Sequence, residues 1–64
     1  MHLLSAIERY IRQSGITASR FGRDVLGDPG FVHALRRGRE PREATVLRVS
    51  AYLAVARATE ERGR

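Results

Sequence analysis

Apolar residues recur along this chain at the three- and four-residue spacing of α-helices, and turn residues divide them into four segments. The first segment runs from Leu3 to Ser14, and its apolar stripe consists of Leu4, Ile7 and Ile11, continued by Ser14. Gly15 follows and predicts a left-handed helix end. No stretch alternates apolar with polar residues. We therefore predict an all-α domain of four helices.

The second and third segments are short. The second opens at Thr17, whose hydroxyl can cap a helix, and stops near Gly27. The third opens at Asp28-Pro29, where Asp suits a helix start and Pro suits the first helical position, and it ends at Gly38. We thus expect only one or two residues between these helices. Their predicted inward faces are Phe21, Val25 and Leu26, and then Phe31, Val32 and Leu35.

The fourth segment runs from about Arg42 to Glu61 and is apolar over much of its circumference. Its main stripe consists of Val46, Val49, Leu53 and Ala56, widened by Leu47, Ala51 and Ala54, with Tyr52 and Val55 on a second flank. Residues 1–61 then form a single domain, and residues 62–64 form a frayed tail.

Size and residue types limit the chemistry. A chain of 64 residues is at most one domain and cannot hold both a core and a large pocket, so we do not expect an enzyme. There is no Cys and there are only two His, so neither a metal site nor a cofactor is predicted. Glu40 and Glu43 are interpreted as surface acids beside Arg39 and Arg42 rather than as a catalytic pair. No apolar run approaches the roughly 20 residues that cross a bilayer, so no membrane partner is expected.

The charge balance points to a polyanionic partner. Twelve basic residues, all of them Arg, stand against seven acidic ones and give a net charge of +5. A small basic domain of this kind most often binds nucleic acid.

The middle of the chain resembles the helix-turn-helix unit of lambda-repressor and Cro-like proteins. That family places an apolar residue, a very small one and a second apolar residue in its first motif helix, as in Phe21, Gly22 and Val25. Two further apolar residues pin its second motif helix, as Val32 and Leu35 would here. The likeness spans about residues 18–38. In the family one helix precedes this pair and two follow it. Either the fourth segment here breaks into two helices, or the chain lacks the fifth helix of the family.

The resemblance implies that the third helix, residues 28–37, enters the major groove of double-stranded DNA. Arg36 or Arg37 could then contact a guanine with two hydrogen bonds, or both could contact phosphates or be solvated charges. For Arg37, at the helix end, the phosphate contact is the favoured interpretation. The expected DNA-binding residues are Thr17, Ser19, Arg20, Arg23, Pro29, Gly30, His33, Arg36, Arg37, Arg39 and Arg42. The cap is the stronger interpretation of Thr17, and His33 is equally well explained as a solvent-facing side chain.

The fourth helix has more apolar residues than a small core needs, and the extra ones could form a contact between two copies of the chain. The candidate contacts are Arg48, Ala51, Tyr52, Val55 and Thr59. A homodimer would read two half-sites, whereas in the alternative these residues only flank a small core.

The sequence thus predicts a cytoplasmic, nucleoid-associated transcriptional regulator that could contact RNA polymerase or another protein. The alternative is an adaptor or anti-repressor module that has the same fold without reading DNA. A chromosome-coating protein and an RNA binder are further alternatives, although A-form RNA has a groove too narrow for side chains to read.

Overall fold

A computed structural model describes the backbone of residues 3–62 and the side chains of residues 3–58. The chain forms four helices: α1 (Leu3–Ser14), α2 (Ala18–Leu26), α3 (Phe31–Arg36) and α4 (Glu43–Arg62). No strand occurs in residues 3–62, so the predicted all-α class is confirmed. Helix α2 packs chiefly on α3, and α4 lies across both α1 and α2.

The ends of α1 and α2 follow from local chemistry. The Gly15 amide donates to the Ile11 carbonyl at 2.9 Å, and Gly15 has the predicted left-handed conformation with φ +72°. Thr17 caps α2, because its Oγ1 accepts the Arg20 amide at 3.0 Å. Gly27 ends that helix with φ +68°. The predictions for these boundaries are confirmed.

The link between α2 and α3 corrects the predicted start of the third helix. Helix α3 begins at Phe31, with Gly30 as its N-cap, and not at Asp28-Pro29. The reason is that Asp28 makes a tight turn: its side chain accepts the Gly30 amide at 3.0 Å and its carbonyl accepts the Phe31 amide at 3.2 Å. Residues 27–30 therefore separate the two helices, instead of the expected one or two residues.

The small residue of α2 lies where the turn crosses the helix. A Cβ placed on Gly22 would overlap the Asp28 carbonyl oxygen and would press on the Phe31 Cβ at 3.3 Å. The Asp28 amide also donates to the Gly22 carbonyl at 3.1 Å. A residue without a side chain is thus required here, although it faces the turn and the start of α3 rather than the middle of the crossing helix.

The core is built mainly from α2 and α3. Its buried members among the described side chains are Ile7, Phe21, Val25, Phe31, Val32, Leu35 and Val49. The inward face predicted for α3 is confirmed, and Phe31 is a core residue. On α1, Ile7 is buried and Leu4 and Ile11 are half-buried as predicted, whereas Ser14, at the last position of the helix, is exposed. Leu26, predicted to be inward, is half-buried at the edge.

Helix α4 continues without a break from Glu43 to Arg62, and no fifth helix occurs in residues 3–62. It therefore includes Arg62, which the sequence had suggested was part of a frayed tail. Val49 is buried on the predicted stripe, with Val46, Leu53 and Ala56 half-buried beside it. The expected widening of that stripe is wrong: Leu47 is 64% exposed, and Ala51 and Ala54 are exposed too.

Tyr52 belongs to an aromatic cluster that joins α4 to α1 and α2. The rings of Tyr10, Phe21 and Tyr52 meet edge to face, with centroids 5.7–5.9 Å apart. The two tyrosine hydroxyls lie 3.3 Å apart and share a hydrogen bond. Such rings stabilise a small core beyond their buried area and leave the hydroxyls at the rim.

Candidate nucleic-acid interface

The outward face of α3 follows from its buried face. Because Phe31, Val32 and Leu35 pack inward, the helical turn directs His33 and Arg37 to the opposite side, where both are exposed. Pro29 and Gly30 are exposed as well, but they lie in the turn that precedes the helix. The side chains that α3 can present to a ligand are therefore few, and they are concentrated towards its C-terminal end.

Arg36 has a partner that the sequence analysis did not find. Its Nε and Nη2 donate to the two carboxylate oxygens of Glu8 at 2.8 and 2.7 Å, so that a two-pronged ion pair ties α3 to α1. A two-bond contact to guanine needs the same donors, so Arg36 could make it only after leaving Glu8. Arg37, by contrast, forms no ion pair with the described side chains.

The charges around Glu8 favour its ionised form. The hydrogen bonds from Arg36 lower the pKa of the Glu8 carboxyl below its ordinary value, and this effect exceeds the opposing effect of partial burial. The positive charges of Arg36 and Arg12 act in the same direction. The pKa of Arg36 is raised, mainly by the same hydrogen bonds. Glu8 thus places one negative charge beside the outward face of α3.

The candidate residues of α2 are partly engaged within the helix. Thr17 uses its hydroxyl as the cap, and Ser19 is exposed beside it. Asp24 accepts a hydrogen bond from the Nε of Arg20 at 3.4 Å and lies 4.0 Å from the Nε of Arg23. These ion pairs are exposed and therefore weak. Both arginines can turn towards an anion, but Asp24 offsets part of their charge.

Unpaired positive charge gathers where α3 ends. Arg37, Arg39 and Arg42 are exposed, and none of them forms an ion pair with the described side chains. The backbone holds this region in place, because the Gly38 amide donates to the Leu35 carbonyl at 3.0 Å and the Arg39 amide donates to the Ala34 carbonyl at 3.1 Å. We call Arg37, Arg39 and Arg42 the basic cluster. Such a cluster can bind phosphates with little rearrangement of the backbone.

The residues predicted for a dimer contact lie in different surroundings. Val55 is 67% exposed and Ala51 is exposed, whereas Tyr52 is half-buried in the aromatic cluster. Arg48 is exposed on the side of α4 that faces the loop after α3. Thr59 lies outside the described side chains. Leu47, which the sequence suggested would face the core, joins Ala51 and Val55 on the exposed side of α4.

Other kinds of site are not found in the described part of the chain. No three His, Cys, Asp or Glu side chains there converge as metal ligands would. None of the helices described is long and apolar enough to cross a membrane.

Comparison with known proteins gives no relative: no family model, curated protein or solved structure matches this chain.

Proposed function

We propose that this protein binds double-stranded DNA in a sequence-specific way and regulates transcription, with α3 lying in the major groove. The observation that carries the proposal is the basic cluster at the end of α3. It forms no ion pair with the side chains of residues 3–58, and the other face of this short helix packs into the core. A helix held in this way can enter the groove as a rigid body, while the arginines beside it contact the phosphates.

The α2–α3 geometry supports the same function. The glycine that the helix-turn-helix resemblance requires, Gly22, is in close contact with the turn, and Val32 and Leu35 pin α3 as that family would have them. His33 would then face base edges, while Arg37 at the end of α3 would contact a phosphate. Pro29 and Gly30 would bring the backbone, rather than hydrogen-bonding side chains, close to the DNA.

The test is an in vitro selection from a random duplex library at physiological salt with the purified protein. We expect an enriched motif, and a two-fold repeat in it would indicate a dimer with half-sites about 34–36 Å apart. Binding without any motif would favour a chromosome-coating role. No retention of duplex even at low salt would overturn the proposal.

A matched pair of variants then tests the basic cluster. Arg37→Ala should weaken binding to the selected duplex, whereas Arg9→Ala removes the same charge from the exposed side of α1 and should change it little. If about five or six phosphates are contacted, the slope of log affinity against log salt is near −5, and each lost contact reduces it by about 0.9. Equal losses in the two variants would show that only total charge matters.

The adaptor function is the second candidate, and the exposed Leu47 and Val55 favour it. A protein partner that binds without DNA and is lost in Leu47→Ser or Val55→Ser would support it. The same variants should leave DNA affinity unchanged if a single copy of the domain binds DNA by itself.

A further inference from the structure

A cleft of about 410 Å³ opens between the end of α3, the loop that follows it and the first turns of α4. We call it the α3–α4 cleft. The half-buried side chains of Leu26, Ala34 and Pro41 line it, together with the edges of two core residues. The function proposed above uses Arg39 and Arg42 at the rim of this cleft, but it does not use these apolar side chains. A space of this size accommodates one or two apolar side chains of a ligand.

Three arginines stand around this apolar surface: Arg39, Arg42 and Arg48. All three are exposed, and none forms an ion pair with the side chains of residues 3–58, although Asp28 and Glu40 also line the cleft. The Oδ1 of Asp28 instead accepts the Gly30 amide. The guanidinium groups are therefore available to carboxylates brought by a ligand, and each can donate two parallel hydrogen bonds to one carboxylate.

We infer that the α3–α4 cleft binds an acidic peptide segment of a partner protein, in which an apolar side chain is flanked by Asp or Glu. The apolar side chain fills the space over Leu26, Ala34 and Pro41, and the flanking carboxylates meet the three arginines. Such a peptide matches both the apolar side chains inside the cleft and the arginines around it. A DNA backbone matches only one of them, because it offers phosphates but no apolar group for the interior.

The cleft lies beside the outward face of α3 rather than on it. Ala34 follows His33 by one residue, which is a rotation of about 100° around the helix. A peptide over Ala34 therefore leaves His33 open, and the inference does not depend on DNA binding. Arg39 and Arg42 belong to both the basic cluster and the cleft, so if both functions hold, the peptide and the DNA backbone would compete for these two arginines.

The experiment uses fluorescein-labelled decapeptides that carry one Leu or Phe among four Asp or Glu residues, with binding followed by fluorescence anisotropy at physiological salt and without DNA. We expect saturable binding by the protein. Replacing the Leu or Phe by Ala, or the acids by Asn and Gln, should weaken binding about tenfold or more. These peptide changes test both features without altering the protein.

A matched pair of protein variants locates the site. The double change Arg42→Ala and Arg48→Ala should weaken binding about tenfold or more. The double change Arg9→Ala and Arg12→Ala removes the same charge from α1, away from the cleft, and should alter binding less than about twofold. Circular dichroism melts confirm that each variant is folded.

Three outcomes would overturn the inference: no saturable binding by any decapeptide, equal binding of the neutral peptides, or equal losses in the two double variants. A duplex that displaces the peptide and depends on Arg48 as strongly would assign the cleft to the DNA interface instead. A failed DNA selection with intact peptide binding would overturn only the proposed function.

Discussion

The α2–α3 pair and α4 use their residues in opposite ways. The nine residues of α2 and the six of α3 supply five of the seven buried hydrophobic side chains, whereas the 20 residues of α4 supply only Val49 among those described. Helix α4 instead exposes Leu47 and Val55. The longest helix therefore contributes little to the buried core, and the two short helices α2 and α3 contribute most of it.

The largest loss of stability should follow from a substitution in the core of the α2–α3 pair. Phe21 is fully buried and contacts both tyrosine rings, so we expect Phe21→Ala to cost about 3–5 kcal/mol and to unfold much of so small a domain. Val55→Ala on the exposed side of α4 should change stability by less than about 0.5 kcal/mol. Thermal melts followed by circular dichroism measure both, and similar losses would refute the contrast.

A smaller loss should follow from a single methyl group at the turn. Gly22→Ala forces a Cβ against the Asp28 carbonyl and should destabilise the fold by about 1–3 kcal/mol. Gly30 is the matched control, because it has φ −89° and an added Cβ would only meet the Asp28 Oδ1 at 3.5 Å. Gly30→Ala should therefore be neutral or slightly stabilising. Urea denaturation of the two variants compares them, and a stable Gly22→Ala protein would contradict the close approach.

The tyrosine pair tests how firmly α4 is attached to α1. Tyr52→Phe removes the hydroxyl contact with Tyr10 and should cost about 0.5–1.5 kcal/mol. That hydrogen bond raises the pKa of Tyr52, and partial burial adds to the shift. The resulting stability is complete below the unfolded pKa of about 10 and is lost as pH rises through the folded pKa.

In Tyr52→Phe, the free energy of unfolding should therefore fall less steeply with pH above about pH 10 than in the unmodified protein. A double-mutant cycle with Tyr10→Phe isolates the interaction between the hydroxyls. Additive losses in that cycle would show that the hydroxyls contribute independently.

The smallest effect should come from the ion pair between Glu8 and Arg36. The pair lowers the pKa of Glu8, so its contribution is present above the unfolded pKa of Glu and is lost as pH falls through the lower folded value. Glu8→Gln should therefore melt slightly below the unmodified protein at pH 7, and the gap should close in acid. Melts at about pH 7 and pH 3 measure it, and a gap of constant size would exclude this charge effect.

Local chemistry explains why most helix ends could be predicted. Thr17 can cap only the helix that follows it, and Gly15, Gly27 and Gly38 have the left-handed backbone that ends helices. The start of α3 was missed because Asp28 can accept either a helix amide or a turn amide, and the geometry of the turn decided between them. The sequence alone does not distinguish these uses.

Contacts between distant parts of the chain were harder to foresee. Glu8 and Arg36 are 28 residues apart, and nothing in the pattern of α1 places that carboxylate beside α3. Helix α4 has apolar residues on nearly every side, so its rotation could not be fixed from their spacing. Tyr52 was therefore left between a dimer contact and the flank of the core, and it is half-buried in the aromatic cluster. Leu47 was assigned to the core although it is exposed.

Val49 is the one buried side chain among those described in α4, and this has a consequence for hydrogen exchange. Amide protons exchange slowly where opening a helix uncovers buried side chains and rapidly where little is uncovered. Protection along α4 should therefore peak near Val49 and decline towards the last turns, while α2 and α3, short as they are, exchange only when the whole domain opens. The longest helix would then contain some of the fastest-exchanging helical amides in the protein.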